Sequence, residues 1–314
     1  MIVFCGVLSE LPLAVAIEAA GELGIEYLVL NQRHFQFYDI RLDAHAGRIS
    51  GMLWVLEREW PLERVRGVYT RLGDVPDVPE HRPRRLGDGP SETVPKATFV
   101  HNTLNAWFEC APCRVANRRL PSSNDISRLY QYQLVRRAGF LIPPTLLTND
   151  PTEVLAFQRR HQRVIYESTS TGRSIVRELT PETARDLDRI RHLPTEFQAY
   201  VPGTDVRVHV VGAEVFATRI VSAAVDSRYA QQDGLDVTME PITLSDEVEV
   251  RCRELSRNLE LPFCGIDLRV TPDGQYYCFE VDPSPVFSDY QEGSGQPIAH
   301  ALVSYLAGRQ SSVS

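Results

Sequence analysis

The chain has 314 residues, of which 43% are hydrophobic and 24% charged, a balance typical of globular proteins rather than of disordered or membrane-embedded ones. Its formal net charge of −8 argues against nucleic acid as a partner, and no apolar stretch is long enough to predict a membrane span. Six scattered cysteines predict no disulfide framework, and Cys110 and Cys113 have no second pair to complete a zinc site, so we expect a reducing, cytoplasmic compartment.

Short apolar runs alternate with helical patterns over residues 1 to 72, which predicts an open, mostly parallel α/β sheet. The strands are expected in MIVFCGVL, IEYLVLN and RGVYTRL, and the helices in LPLAVAIEAAGELG and GMLWVLEREW. Residues 73 to 96 are rich in proline, glycine and charge, which predicts a long surface loop or lid. A helical pattern returns in ATFVHNTLNAWFEC.

A domain boundary is expected near residues 118 to 122, followed by a compact α+β unit. Its helices are expected in ISRLYQYQLVRRAGF, DPTEVLAFQRRH and TPETARDLDRIRHL, and its strands in TLLT, RVIYES and SIVREL. The stretch RVIYESTSTGRSIV reads as a strand entering a Ser/Thr/Gly loop, the shape of a phosphate cradle. Glu167 lies at the entrance of that cradle, where a carboxylate would repel an anion.

Strand patterns dominate the next segment, in FQAYV, VRVHVVG and EVFATRIVS, with a hairpin turn at residues 211 to 214. A polar stretch at residues 226 to 240 precedes a long helix in SDEVEVRCRELSRNL. A second hairpin, GIDLRVTPDGQYYCFEVDPSP, turns at Pro272-Asp273-Gly274, and the helix PIAHALVSYLAG closes the chain.

This last hairpin is acidic on one face. Counting outward from its turn brings Asp267 near Glu280, and Asp282 lies two residues further on the same face. Three clustered carboxylates repel one another unless a cation is bound, and an all-oxygen ligand set selects Mg²⁺ or Mn²⁺. The alternative is a solvated acidic face paired with Arg269.

A metal hairpin combined with a glycine-containing loop between strands predicts a nucleotide site, in which a metal ion bridges phosphates held by loop amides. Lys96 is the only lysine, so the phosphate-binding cations must be arginines, whose planar forks suit that role.

Residues from about 123 to 307 resemble the ATP-grasp superfamily, close to the branch of the RimK-type glutamate ligases and the graspetide (microviridin-type) peptide ligases. The resemblance rests on AGFLIPPTLLTNDP, VIYES with GRSIV, FQAYVPGTDVRVHVVGAEVFATRI and GIDLRVTPDGQYYCFEVDPSPVFSDYQEGSGQPIAHAL, in that order. It implies a pre-ATP-grasp α/β domain at residues 1–118 and a two-subdomain ATP-grasp fold, divided into residues 119–196 and 197–314.

The resemblance also implies roles for individual residues. The hinge backbone would read adenine, two Mg²⁺ ions would lie between the carboxylates and the β- and γ-phosphates, and arginines would face the phosphoryl group or a substrate carboxylate. The hinge residues are Gln198, Ala199, Tyr200 and Val201; the metal ligands are Asp267, Glu280 and Asp282. Arg173 and Arg128 would serve the phosphates, Arg207 and Arg219 the transferred phosphoryl group, and Arg71 the substrate carboxylate. Structural roles remain open for Arg207, beside Asp205, and for Arg71 at a strand end.

The implied reaction makes an acyl phosphate from ATP and a carboxylate, which an amine or hydroxyl then captures to give an amide or ester. The substrate would be a peptide or an amino acid, and a homo-dimer is possible.

Three positions depart from the family pattern: Glu167 replaces a lysine, Asp282 an asparagine, and Ala199 the acidic residue that commonly follows the hinge glutamine. Glu167 could point away while Arg128, Arg173 or Arg177 supplies the charge; it could recruit a further cation; or the chain could be a pseudo-ligase with a binding or regulatory role. If Glu167 faces the phosphates, Glu167→Lys should tighten nucleotide binding; weaker binding would mean that the carboxylate serves a cation or substrate.

Overall fold

The computed structural model describes residues 1–81, 93–122, 128–168, 176–222 and 237–309. The strands in this part of the chain are β1 (Ile2–Gly6), β2 (Tyr27–Asn31), β3 (Asp39–His45), β4 (Arg48–Val55), β5 (Arg58–Pro61), β6 (Gly67–Arg71), β7 (Arg114–Ala116), β8 (Thr145–Thr148), β9 (Val164–Ser168), β10 (Arg177–Glu178), β11 (Thr195–Ala199), β12 (Thr204–Val211), β13 (Glu214–Ser222), β14 (Val237–Ile242), β15 (Phe263–Val270) and β16 (Tyr276–Asp282). The α-helices are α1 (Leu11–Glu22), α2 (Thr93–Cys110), α3 (Arg119–Ser122), α4 (Arg128–Arg137), α5 (Pro151–His161), α6 (Asp246–Asn258), α7 (Ser288–Ser294) and α8 (Ile298–Ala307). No helix within these ranges is long and apolar enough to cross a membrane.

The N-terminal sheet has the order β2-β1-β6-β7 and is parallel throughout, which confirms the predicted α/β architecture. β1 is buried on both faces, as expected of a central parallel strand. Its alternate residues enter two cores: Val3 and Cys5 pack in the core that includes α2, and Ile2 and Phe4 pack in the core that includes α1 and α8.

The helix predicted in GMLWVLEREW is wrong. This stretch forms most of the antiparallel strands β4 and β5, which make a three-stranded sheet with β3. Leu53 and Val55 alternate into the core, while Leu56 and Glu57 turn the chain with positive φ. The apolar spacing of such a short segment is compatible with a helix or with a strand. Here the segment forms a strand because it pairs with β3.

The middle unit is a small antiparallel sheet of order β10-β9-β11-β8. The helix predicted in TPETARDLDRIRHL is instead a 3₁₀ segment, Thr183–His192, in which Leu187 is the one buried residue. Ala184 and Ile190 pack beside Leu187 on the core of this unit, and the three-residue spacing of these side chains matches the period of a 3₁₀-helix. The division predicted between residues 196 and 197 falls inside β11.

The C-terminal sheet is antiparallel, with the order β14-β13-β12-β15-β16. One face packs beneath α4 and α6, in a core that includes Val206, Val208 and Ile266. The sequence did not predict β14, which begins inside the polar stretch, or the short helix α7.

Helix α8 joins the two ends of the chain. Its residues share one core with α1, with β1 and with Phe263 at the start of β15. The unit predicted for residues 1–118 is therefore completed by a helix from the C-terminal region, and the edge of its sheet is held close to the acidic hairpin.

Candidate active site

The acidic hairpin has the predicted register. Asp267 of β15 lies directly opposite Glu280 of β16, and Gly265 lies opposite Asp282. Directly opposed residues of antiparallel strands share a face, as do Glu280 and Asp282, which are two residues apart. All three carboxylates line one cavity of about 870 Å³.

Arg207 neutralises two of these carboxylates. From the adjacent strand β12 it donates Nη1 to Asp267 at 2.8 Å and Nη2 to Asp282 at 2.9 Å, and its side chain is only 7% exposed. Burial alone would lower the pKa of Arg207, but the two aspartates raise it well above its usual value. Arg207 is therefore a fixed cation at the centre of the acidic face.

Gly265 makes this position of Arg207 possible. A Cβ at residue 265 would overlap the guanidinium group, which lies across the glycine. The ring of Tyr290, on α7, lies 5.6 Å from the guanidinium carbon. Residue 265 is thus a glycine because the Arg207 side chain occupies the space that a Cβ would fill.

Neither of the two ion pairs considered for this region forms, although the hairpin acids do pair with other arginines. Arg207 does not pair with Asp205, its neighbour in sequence, and Arg269 does not pair with the hairpin acids. Instead, Arg269 donates Nε to Asp205 at 2.6 Å and Nη1 to the carbonyl of Val201 at 3.0 Å. These bonds hold the end of the hinge close to β15, the first strand of the acidic hairpin.

The carboxylate set suits a hard divalent cation, because its donors are all oxygens. Their side chains are 34%, 25% and 30% exposed for Asp267, Glu280 and Asp282, so all three remain accessible from the cavity. Across the described ranges, no group of three or more His, Cys, Asp or Glu side chains is arranged to hold an ion. Arginines pair with all three hairpin carboxylates. A cation would have to displace these ion pairs, and the metal assignment stays a prediction.

Arg128, at the start of α4, bridges the two sheets. Its Nη1 donates to Glu167 at 2.6 Å and to Glu196 at 3.2 Å, and its Nη2 lies 3.6 Å from Glu280. Burial alone would lower the pKa of Arg128, but its hydrogen bond to Glu167 and the three negative charges raise it. Glu167 is thus the partner of Arg128, and both line a cleft shared with Gln198 and Asp267.

The hinge lies at the other end of this cleft. Gln198 is buried and donates Nε2 to the hydroxyl of Tyr132 at 2.7 Å. The amides of Ala199 and Tyr200 donate to the carbonyls of Pro144 and Arg163. The carbonyl of Val201 accepts from Arg269, so several backbone groups of the hinge have partners within the described residues.

Arg71 is a brace between the two ends of the chain. Its side chain is 6% exposed and donates to Glu10 at 2.6 Å, and its Nη1 lies 3.2 Å from the carbonyl oxygens of both Ser284 and Pro285. It also lines a separate cavity of about 600 Å³ at the carboxyl edge of β1 and β6. The predicted contact with a substrate carboxylate stays a prediction, since the nitrogens of Arg71 already have these partners.

The other predicted arginines are not brought to the cluster. Arg219 pairs across the strands with Val206, so it points to the opposite face from Arg207, and it pairs with Glu240. Arg177 lies opposite Tyr166 and so points away from the face of Glu167. Arg173 lies outside the described residues.

The sequence did not single out Glu196, Tyr132 or Gly265. Glu196 is 6% exposed, and Tyr132 donates its hydroxyl to it at 3.0 Å. The available signal was a carboxylate directly before the predicted strand FQAYV, since a buried acid requires a partner.

The sequence profile of the RimK-like ATP-grasp domain matches residues 131–306, more than half of the chain. Human beta-citrylglutamate synthase B is 26% identical over 221 residues, which cover 65% of this chain and 56% of that protein. Human N-acetylaspartylglutamate synthase A is also 26% identical, over 228 residues, covering 66% of this chain and 57% of that protein. The chain thus spans a little over half the length of the curated relatives that it matches.

Solved structures match along nearly the whole chain. The ATP-grasp ligase PsnB, complexed with minimal precursor, Mg and ADP, has a TM-score of 0.78 and 26% identity, covering 98% of this chain and 96% of that one. The macrocyclase MdnC from Microcystis aeruginosa MRC, bound with precursor peptide MdnA, has a TM-score of 0.76 and 21% identity, covering 98% and 100%. The second match speaks for the fold alone.

Proposed function

The chain belongs to the RimK-like ATP-grasp family, and from that premise we propose that it uses ATP to join a carboxylate to an amine or a hydroxyl. The proposal includes a peptide or amino acid carboxylate as the substrate, two Mg²⁺ ions as cofactors, and a cytoplasmic location, which suits six free thiols. PsnB, 26% identical and complexed with a precursor, Mg and ADP, supports the peptide and the metal.

One observation carries the proposal. Two buried or half-buried arginines and the three hairpin carboxylates converge between the small sheet and the hairpin sheet. Such a set can hold a polyphosphate, with arginine forks on its oxygens and carboxylates for its counterions. Gln198 of the hinge lines the same cleft, and the hinge backbone from Gln198 to Val201 would read adenine.

The protein groups have distinct tasks in this reaction. Bound Mg²⁺ would supply charge neutralisation on the phosphate oxygens, held by Asp267, Glu280 and Asp282. Arg207, fixed across Gly265, would stabilise the negative charge that develops on the transferred phosphoryl group. Arg128 would contact the nucleotide phosphates in place of the family lysines. The acyl phosphate made from the substrate carboxylate would then be captured by the amine or hydroxyl.

Thermal unfolding with nucleotide tests this proposal. A non-hydrolysable ATP analogue at 100 times its dissociation constant should stabilise the full chain by about 2.7 kcal/mol, and most of this effect should require Mg²⁺. Asp267→Asn should remove the Mg²⁺-dependent part, while Asp43→Asn, which removes an exposed carboxylate paired with Arg41, should not. No shift at millimolar nucleotide would contradict the proposal and favour the pseudo-ligase.

A further inference from the structure

Glu196 lies at a position where a carboxylate lowers the stability of the fold. It is 6% exposed and lies directly opposite Glu167 on the neighbouring antiparallel strand, and the Glu167 side chain is 15% exposed. Like charges in opposed positions repel, and a buried carboxylate without a partner destabilises a fold. A strand such as TEFQA would be more stable with an apolar residue there. We therefore expect the two glutamates to have a function that compensates for the stability lost by placing them opposite each other.

The contacts of Glu196 connect the two ends of the nucleotide cleft. Its Oε1 accepts from the Tyr132 hydroxyl at 3.0 Å and from Arg128 Nη1 at 3.2 Å. The Tyr132 hydroxyl accepts in turn from Gln198 at the hinge, at 2.7 Å. Burial and the charge of Glu196 raise the pKa of Tyr132, so the phenol keeps its proton and remains a donor.

Arg128 is the group that gains from this arrangement. An arginine loses much rotamer freedom when it binds an anion, and that loss is smaller when other contacts already hold the fork. Glu196 and Glu167 share Nη1, while Nη2 lies toward Glu280 of the metal hairpin. The guanidinium is thus oriented across the gap between the two sheets before any ligand arrives.

We propose that Glu196, supported by Tyr132, is a positioning residue that holds Arg128 for the nucleotide. The proposal rests on the proposed function, because it takes a nucleotide phosphate as the ligand of Arg128. It also predicts that Glu196 affects nucleotide binding in the direction opposite to the one expected from its negative charge alone. Removal of a negative charge beside a phosphate should tighten binding, whereas loss of a positioning carboxylate should weaken it.

Calorimetric titration of the full chain with ADP and Mg²⁺ separates these effects. Glu196→Gln should raise the dissociation constant at least tenfold. Glu249→Gln is the matched control, because Glu249 also pairs with an arginine, Arg253 on α6, at 2.9 Å, and both side chains are 28% exposed. The dissociation constant of the Glu249→Gln variant should equal that of the wild type. In an Arg128→Lys background, which keeps the charge and loses the fork, Glu196→Gln should change the constant less than threefold. A purely structural role of Glu196 would weaken binding equally in both backgrounds.

Tyr132→Phe provides a second variant if Glu196→Gln does not fold. It removes the hydroxyl between Glu196 and Gln198 and should raise the dissociation constant about threefold, with a smaller effect in the Arg128→Lys background. Unchanged or tighter binding by both variants, or equal weakening in both backgrounds, would overturn the positioning role while leaving nucleotide binding intact. Absence of binding by the wild-type chain would overturn the proposed function as well.

Discussion

Glu167 and Glu196 lie directly opposite each other on β9 and β11, and one guanidinium nitrogen of Arg128 donates to both. The family resemblance implies a lysine at the position of Glu167, so this chain has a negative charge where a positive one is expected. In the structure, the carboxylate of Glu167 accepts a hydrogen bond from Arg128. Among the explanations for Glu167, this favours Arg128 as the source of the missing charge.

The first prediction concerns Glu167→Lys, for which the sequence alone left two outcomes open. Because Glu167 accepts from Arg128 at 2.6 Å, a lysine would repel the guanidinium and displace it from Glu196. We expect the dissociation constant for ADP and Mg²⁺ to rise at least fivefold, measured by calorimetric titration. In the double variant with Arg128→Gln, the lysine has no cationic neighbour and binding should recover.

Glu249→Lys is the control for this substitution, since it places a lysine beside Arg253 on the distant helix α6. Tighter binding by Glu167→Lys alone would contradict the prediction and would mean that the carboxylate faces the phosphates directly.

The second prediction concerns Gly265→Ala. The added methyl group overlaps the guanidinium of Arg207, which must leave Asp267 and Asp282. We expect a loss of at least about 2 kcal/mol in the free energy of unfolding, because a buried ion pair is broken. The rate of ADP formation should fall by about 100-fold or more, as when a group that stabilises developing charge is removed. Urea unfolding and an ADP-release assay measure the two effects.

Gly21→Ala is the matched control, because a Cβ at Gly21 meets no atom within 4 Å. Its free energy of unfolding should stay the same or rise by up to about 1 kcal/mol, since alanine is the better helix former. Equal behaviour of the two variants would show that Arg207 does not depend on the empty space at Gly265.

The turn and the two-residue period of strands predicted that Asp267 lies near Glu280. Their direct opposition also depends on a shift of register between Asp267 and Leu268, because the regular pairing of Leu268 with Cys278 would otherwise place Phe279 opposite Asp267. The partners of the arginines were not predictable in that way. Arg207 meets Asp267 because β12 pairs with β15, a long-range register that no local pattern encodes. Asp205, two residues from Arg207 along the chain, was the obvious partner in sequence and pairs elsewhere. The fold class could be predicted from periodicity and resemblance. The contacts of Arg128 with three glutamates could not, because they require three strands and a helix to be brought together.

The third prediction concerns Arg71→Ala. Arg71 is buried and holds Glu10 together with the backbone carbonyls that follow β16. Its removal leaves these acceptors without a donor, and we expect a loss of about 2 kcal/mol in the free energy of unfolding without ligand, measured by urea denaturation. Glu10→Gln, which keeps a hydrogen-bond acceptor, should lose less. A change within about 0.5 kcal/mol for Arg71→Ala would contradict the brace and favour a role confined to substrate binding.

The last prediction concerns the pH dependence of stability and His209. This residue of β12 is fully buried, and neither of its ring nitrogens has a hydrogen-bond partner among the described residues. Burial, and then the nearby charge of Arg207, lower the pKa of His209 well below its usual value. The ring of Tyr290 packs against it, with the ring centroids 5.1 Å apart. The native protein therefore holds a neutral imidazole beside a permanent cation.

The sign of the effect follows from proton linkage. The unfolded chain binds a proton at this histidine below about pH 6.5, whereas the native state does not. Above about pH 6.5 the imidazole is neutral in both states and has no effect on the pH dependence of stability. Below that pH, proton uptake by the unfolded chain alone lowers the free energy of unfolding by up to about 1.4 kcal/mol per pH unit. Urea unfolding of the wild type and of His209→Leu between pH 8 and pH 5 gives the difference curve, with His192→Leu, at an exposed position, as the matched control. The wild type should lose stability relative to His209→Leu below pH 6.5. A flat difference curve would mean that His209 takes up its proton in the folded protein, and that the charge of Arg207 is screened from it.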